Sequence, residues 1–233
     1  MCGRFALHAP ASSISEALSV LVPDDLLAGA GIPGGKARRS FNIAPTDAVL
    51  GVGATAAGRV ASWVRWGLLP PRPTTASGLK GRPLINARSD SLATNGLFKH
   101  ALRGSRMIVP ASGFYEWLVR DGAKVPFYLR PRAGGILAFA ALRSVTLVDG
   151  DPLSSCALIT TDANALMRPV HDRMPVILDR AAVDAWLDPD QTDVDALVAL
   201  CRPCDDALLE PVEVSQRVNQ VRNDDVGLIT PIA

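Results

Sequence analysis

Cysteine and histidine are scarce in this chain of 233 residues, with four of the first and three of the second. The cysteines, Cys2, Cys156, Cys201 and Cys204, are too few and too scattered for a disulfide framework and read as free thiols. Only Cys201 and Cys204 stand close, as Cys-x-x-Cys. A zinc site needs a second ligand pair at usable spacing, and none is present. The redox form of the motif follows a strand and opens a helix, whereas this one follows a helical stretch. Neither a metal nor a redox role is expected of the motif. Long apolar runs are missing too: 48% of the residues are hydrophobic, enough for a real core, but no run approaches the roughly 18 residues of a membrane span. No charged flank followed by an apolar stretch opens the chain, so no signal peptide is expected. The expectation is a cytoplasmic protein without membrane contact.

Net charge is also nearly absent, at +1. Its distribution is uneven. Lys36 to Arg106 holds twelve basic residues against Asp47 and Asp90, whereas Asp179 to the end holds four basic and twelve acidic. Such asymmetry suits one side facing a polyanion and another facing solvent, and ordinary solvated surface explains it equally well.

Along the chain, Ser13-x-x-Glu16 has the form of a capping box, with Ile14, Leu18, Leu21 and Val22 at helical spacing behind it, which predicts a helix ending near Pro23. Residues 28–35 and 69–83 are rich in turn formers and read as loops. Lys36 after Gly35 does not make a phosphate loop, because Ala30 and Ala37 occupy the Gly and Ser/Thr positions. Short apolar segments at 48–52, 60–66, 106–109, 126–129, 136–142, 157–161 and 175–178 read as strands. Two helices follow, one over 180–187 capped by Asp179 and one beginning at Thr192 with Thr192-x-x-Asp195 as its box. There is no internal repeat. A strand-rich centre with peripheral helices makes an α+β domain, taken as one unit over 1–233.

Chemistry concentrates in a few residues. A small second residue lets an initiator Met be removed, which would leave Cys2 with an amine and a thiol on adjacent carbons. An aldehyde condenses with the amine to an imine, and the thiol closes a five-membered thiazolidine. With a pKa of about 7.7–8.0 against about 10.4, a terminal amine is neutral a few hundred times more often at pH 7 than a lysine. Glu116 sits among aromatics in Gly113-Phe114-Tyr115-Glu116-Trp117, where apolar surroundings would make it a proton donor near neutrality. Asn86 ends an apolar step, and His171 precedes Asp172-Arg173-Met174-Pro175. Each also has a structural reading: a small residue at a frayed end for Cys2, a surface carboxylate for Glu116, a structural hydrogen bond for His171. Trp63, Trp66, Phe114, Tyr115 and Trp117 fall in or beside the basic half, as aromatics that hold single strands do, and as core aromatics also do.

In this order the motifs resemble those of the SOS-response-associated peptidase (SRAP) family of abasic-site processing proteins. The resemblance runs nearly end to end through Met1-Cys2-Gly3-Arg4-Phe5, Phe41-Asn42-Ile43-Ala44-Pro45, Trp66-Gly67-Leu68-Leu69-Pro70, Asn86-Ala87-Arg88, Pro110–Trp117, Thr160–Asn164, His171–Pro175 and Val218-Asn219. It implies a mixed domain around a barrel-like β-sheet, acting as a monomer on single-stranded DNA that contains abasic sites and associating with the nucleoid when bound. It implies no metal or organic cofactor, Cys2 as the crosslinking residue, Asn86 as the group that positions it, and Glu116 and His171 as proton carriers. Arg4, Arg88 and Arg173 would hold phosphates, and Asn42, Pro45, Trp66, Gly67 and Thr161 would line the strand's path. Departures from the family pattern fall at Pro71-Arg72-Pro73, Asp90-Ser91, Arg143 and Ser40, none of them a chemical residue. Two other readings begin from the same Cys2: an N-terminal-nucleophile hydrolase, whose downstream Asn-Gly signature is missing, and a peptidase pairing Cys2 with His171. A single-strand binder without chemistry is a third.

Overall fold

The computed structural model describes residues 2–28, 39–72 and 84–232. Met1, most of the loop expected at 28–35 and the later part of that at 69–83 lie outside the described residues. In chain order the elements are β1 (Phe5–Leu7), α1 (Ala11–Leu18), α2 (Asp24–Ala28), β2 (Ser40–Ile43), β3 (Ala48–Thr55), β4 (Gly58–Trp66) and β5 (Asn86–Arg88). Next come α3 (Gly96–Gly104), β6 (Arg106–Ala111), β7 (Gly113–Arg120), β8 (Ala123–Pro131), β9 (Leu137–Val148) and β10 (Asp151–Asp162). The chain closes with β11 (Arg173–Pro175), β12 (Ile177–Leu178), α4 (Arg180–Leu187), α5 (Val194–Ala199) and β13 (Leu209–Glu213). The fold is α+β, as expected. No helix among the described residues is long and apolar enough to cross a membrane.

Two sheets carry the architecture. Strands β10, β4, β3, β6 and β9 pair in that order, and β9 pairs back onto β10, so the five close into a barrel. The ring is mixed, because β4 and β10 run parallel with Trp66 beside Cys156 while the other pairs run antiparallel. Closure leaves these strands without open edges. The short β5 and β11 attach to β10, and β12 to β9. The second sheet has the order β13-β8-β7-β1-β2. Aromatics fasten it to the barrel. Phe5 of β1 meets Trp66 of β4 edge-on at 5.1 Å and Phe139 of β9 at 6.0 Å, and Phe114 of β7 meets the same Phe139 at 6.0 Å. All four rings are fully buried, where large apolar area and edge-to-face geometry contribute most.

Local rules explain the joints. Asp121-Gly122 and Asp149-Gly150 turn the β7–β8 and β9–β10 hairpins, with φ of 52° and 78° in the first and 50° and 96° in the second. Two-residue turns with positive φ match the twist of the strands they join. Asp179 caps α4 by accepting from the Ala182 N–H at 2.8 Å, as expected. The other two expected caps shift. Helix α1 starts at Ala11 behind Pro10 with no side-chain cap, so Ser13 lies inside it. Helix α5 is capped by Asp193, whose carboxylate takes the Asp195 and Ala196 N–H groups, rather than by Thr192. Gly113 meets a close-packing demand. A Cβ there would lie 2.7 Å from the Leu129 carbonyl and against the Tyr128 ring. Gly113→Ala is therefore expected to cost about 1–3 kcal/mol through overpacking, measured as a lower urea midpoint at unchanged slope.

Candidate active site

Cys2 is delivered by β1. Phe5 faces Phe114 in the antiparallel register of β1 and β7, and the Tyr115 N–H donates to the Arg4 carbonyl at 2.9 Å. Continued by two residues, that register brings Glu116 opposite Gly3, next to Cys2. The two groups interact. Cys2 is 0% exposed, and its thiol is pushed far above the usual cysteine range, first by burial and then by the nearby Glu116 carboxylate, while a hydrogen bond from the Arg4 backbone opposes the shift. Glu116 is 4% exposed, and burial is the main cause that raises its pKa. Burial of this kind favours the protonated carboxyl, the form that can donate a proton.

Asn86 closes the site from the barrel side. Trp66 at the end of β4 donates from Nε1 to the Ile85 carbonyl at 2.9 Å, which sets the start of β5. Asn86 then donates from Nδ2 to the Cys2 carbonyl at 3.1 Å, and its buried Oδ1 has no partner among the described residues. Trp66 is thus a pillar for Asn86, fully buried with no ring face open to solvent. Phe114 and Tyr115 are buried in the same way, and Trp63 and Trp117 are half-buried.

Beside Glu116 opens a cleft of about 450 Å³ lined by Arg4, Glu116, Trp117, Lys124, His171 and Asn219. Larger hollows elsewhere on the surface hold none of the candidate chemical residues. In the cleft wall, Arg4 donates from Nη1 to Asn42 Oδ1 and to the Val218 carbonyl, both at 2.7 Å. Asn42 is buried, and its amide nitrogen reaches the carbonyls of Val218, Gln220 and Asn223. It clasps the C-terminal segment and holds Arg4 in place. His171 Nδ1 accepts the Arg173 N–H at 2.9 Å and lies 2.7 Å from Asp172 Oδ1. One tautomer cannot serve both. The neutral ring with its proton on Nε2 satisfies the amide, and burial lowers the His171 pKa toward that state, while Asp172 pulls the other way.

The remaining expected contacts divide by strand face. In the sheet, Asn86 and Arg88 of β5 stand beside Leu158 and Thr160 of β10, and Asp162 of β10 stands beside Arg173 of β11. Side chains two apart share a face, so Asn86, Arg88, Thr160, Asp162 and Arg173 project together. Thr161 points to the opposite face. Thr160, one position earlier, is the threonine on the site's face, and its buried Oγ1 has no partner among the described residues, nor has Arg173 Nε. Arg173 is buried and tied to Asp162 at 2.7 Å and to the Thr160 carbonyl at 2.7 Å. Arg88 is exposed and paired with Asp90 at 2.5 Å. Pro45 is half-buried in the tight turn that Asp47 holds by accepting the Ala44 N–H at 2.9 Å. Gly67 is buried, with φ of 134° and its N–H on the Cys156 carbonyl. Both shape the backbone around Trp66. Lys124 was not foreseen in the cleft. The Asp121-Gly122 turn carried the signal, since a two-residue hairpin fixes Lys124 opposite Val119, two residues beyond Trp117.

A model of the SOS response associated peptidase (SRAP) family matches residues 1–221. The chain belongs to the SRAP family. Among its relatives, the abasic site processing protein YoqW of Bacillus subtilis is 36% identical over 98% of this chain and 99% of its own length. The abasic site processing protein HMCES of Gallus gallus is 31% identical over 75% of this chain and 58% of its own. A solved structure from Bacteroides thetaiotaomicron superposes with a TM-score of 0.82 over the full length of both chains at 19% identity, a likeness of fold alone. The SRAP match contains every residue of the cleft, from Arg4 to Asn219.

Among the described residues no cluster of His, Cys, Asp and Glu has the form of a metal site. The three cysteines other than Cys2 lie away from the cleft lining, with burial raising Cys156 and Cys201 to about 12 and Cys204 to about 11. Such thiols are poor nucleophiles.

Proposed function

We propose that this protein bonds covalently, as a monomer, to abasic sites in single-stranded DNA through Cys2 and shields them. The observation that carries the reading is Cys2 itself, buried against a Glu116 whose carboxyl is held toward its neutral form, in a chain of the SRAP family. An abasic deoxyribose opens to an aldehyde. The Cys2 amine, once free, adds to it and loses water to form an imine. The Cys2 S–H then adds across the C=N bond, sulfur to carbon and hydrogen to nitrogen, and closes the thiazolidine.

Each neighbour has a task in that sequence. Glu116 donates the proton that ring opening and loss of water require, then takes one back from the thiol, whose burial otherwise keeps it protonated. Asn86 fixes the Cys2 carbonyl and presents its Oδ1 to a hydroxyl of the opened sugar. His171, across the cleft, moves protons through Nε2. Arg88 and Arg173 take the phosphate beside the abasic site, with Arg88 exchanging its exposed Asp90 pair for the phosphate, a weak pair to give up. Arg4 takes a neighbouring phosphate.

The test is incubation with an abasic and an intact single-stranded oligonucleotide, resolved on a denaturing gel. A shifted band with the abasic strand alone supports the reading. Equal retention of both strands on a native gel with no shifted band favours a binder without chemistry, and peptide hydrolysis without an adduct favours the peptidase reading. Binding is also expected to depend on salt. Two phosphates, at a slope of about 0.7 each on a single strand, correspond to roughly a sevenfold loss of affinity over a fourfold rise in salt. A fluorescence-anisotropy titration showing flat affinity over that range would remove the arginines from DNA binding.

A further inference from the structure

Asp162, at the end of β10, is followed by a loop that returns at β11 with His171. The loop begins and ends at one backbone contact, the Ala163 N–H on the Asp172 carbonyl at 2.9 Å. Inside it Asn164 makes contacts in two directions. Its Oδ1 accepts the Met167 N–H at 2.9 Å, and its carbonyl accepts the Arg168 N–H at 3.0 Å. Met167 is fully buried, and its carbonyl in turn accepts the His171 N–H at 2.9 Å. Outward, Asn164 Nδ2 donates to the Cys204 carbonyl at 3.1 Å, and two residues on the Leu166 N–H donates to Asp206 at 3.2 Å. The segment carrying the Cys-x-x-Cys motif therefore anchors the loop that presents His171 to the cleft. That gives the motif a place in the molecule that needs neither metal nor redox chemistry.

We propose that Asn164 is the positioning residue for His171, holding the imidazole at the cleft through the Met167 turn on one side and the Cys204 carbonyl on the other. The proposal rests on the reading of His171 as a proton carrier. A side chain that makes both contacts at once fixes the loop near its start, and an Asn is needed because one end must accept and the other donate. Alanine loses both contacts. Aspartate keeps the acceptor toward Met167 and replaces the donor with a second acceptor facing the Cys204 carbonyl.

The experiment combines two readouts on Asn164→Ala, His171→Ala and the double variant. The first is the single-turnover rate of adduct formation at saturating abasic oligonucleotide. Asn164→Ala is expected to be about tenfold slower, short of the roughly hundredfold that a 1 Å misplacement can cost, with affinity for an intact oligonucleotide within about twofold of the parent. In the His171→Ala background it should add almost nothing. The second readout is the imidazole NMR resonance of His171, assigned by its loss in His171→Ala, since only His8 and His100 compete with it. Asn164→Ala should move it. An unmoved resonance, or a tenfold effect that persists without His171, overturns the proposal. If His171→Ala crosslinks at the parent rate while Asn164→Ala still moves the resonance, the catalytic role of His171 falls and the positioning contact stands. If Asn164→Ala does not fold, Asn164→Asp carries the same two readouts and is expected to fall between parent and alanine.

Discussion

Cys2→Ser should lose the stable adduct altogether. The variant keeps the amine, so an imine still forms, but a hydroxyl adds to it less readily and yields a reversible product at best. Only a reductant should trap that product. An added residue ahead of Cys2 should give the same loss by the opposite route, because it leaves the thiol and removes the adjacent amine. Affinity for an intact strand should survive both changes, since Arg4, Arg88 and Arg173 are untouched. The measurement is a denaturing gel with and without borohydride, paired with anisotropy on an intact oligonucleotide. The expected loss is complete for the adduct that survives the gel without borohydride, because neither variant can close the thiazolidine. Full yield from the N-terminally extended protein would contradict the need for the amine.

Glu116→Gln should slow crosslinking by about a hundredfold at saturating DNA and leave strand affinity within about twofold, because proton transfer by a placed acid or base typically contributes that much. The same substitution should change stability in a direction set by burial. The pKa of Glu116 is raised in the folded chain above its ordinary value of 4.5, with burial as the largest cause. A carboxyl raised in this way stabilises the fold fully below that ordinary value, and the contribution is lost as pH rises through the folded value. Glutamine cannot ionise. Glu116→Gln should therefore gain thermal stability relative to the parent as pH increases from about 5 to about 8, the cost of an active-site charge being removed. Calorimetric scans at the two pH values decide it. A gap between variant and parent that stays constant would mean that the carboxylate is well solvated, one that shrinks with rising pH that it is firmly paired, and either would undercut its role as an acid.

Much of this was legible in the sequence where one physical signal dominated. The helix Arg180–Leu187 follows from its cap and apolar spacing, and the barrel strands from short apolar segments between turn formers. Caps moved where two capping residues stand side by side: Thr192 and Asp193 both qualify, and the carboxylate of Asp193 holds two N–H groups. Helix α3, nine residues behind the Asn95 cap, was equally within reach of the sequence, since Phe98, Ala101 and Leu102 stand at helical spacing and form its buried face. Strand β7 hid because its first four residues are buried whatever their polarity, Glu116 among them, so it does not alternate. The Asp-Gly pairs at 121 and 149 would have given both hairpins, and with them the place of Lys124.

The site residues were legible as types and less so as positions. Cys2, Asn86, Glu116 and Arg4 do converge, through pairings of β1 and β5 that no local pattern announces. Aromatic and polar residues in a motif do not declare whether they face a ligand or hold a neighbour that does. Trp66 and Asn42 turned out to be supports, one for Asn86 and one for Arg4. Thr160 and Thr161 differ only in the parity of their strand position, which a single-residue error in register reverses.

The most direct test is mass spectrometry of the product formed between the protein, begun at Cys2, and an oligonucleotide carrying one abasic site. The expected mass is that of protein plus DNA less one water, and digestion should place the linkage on the peptide that starts with Cys2. A stable adduct mapped to Lys124 or to any residue other than Cys2 would contradict the proposed function.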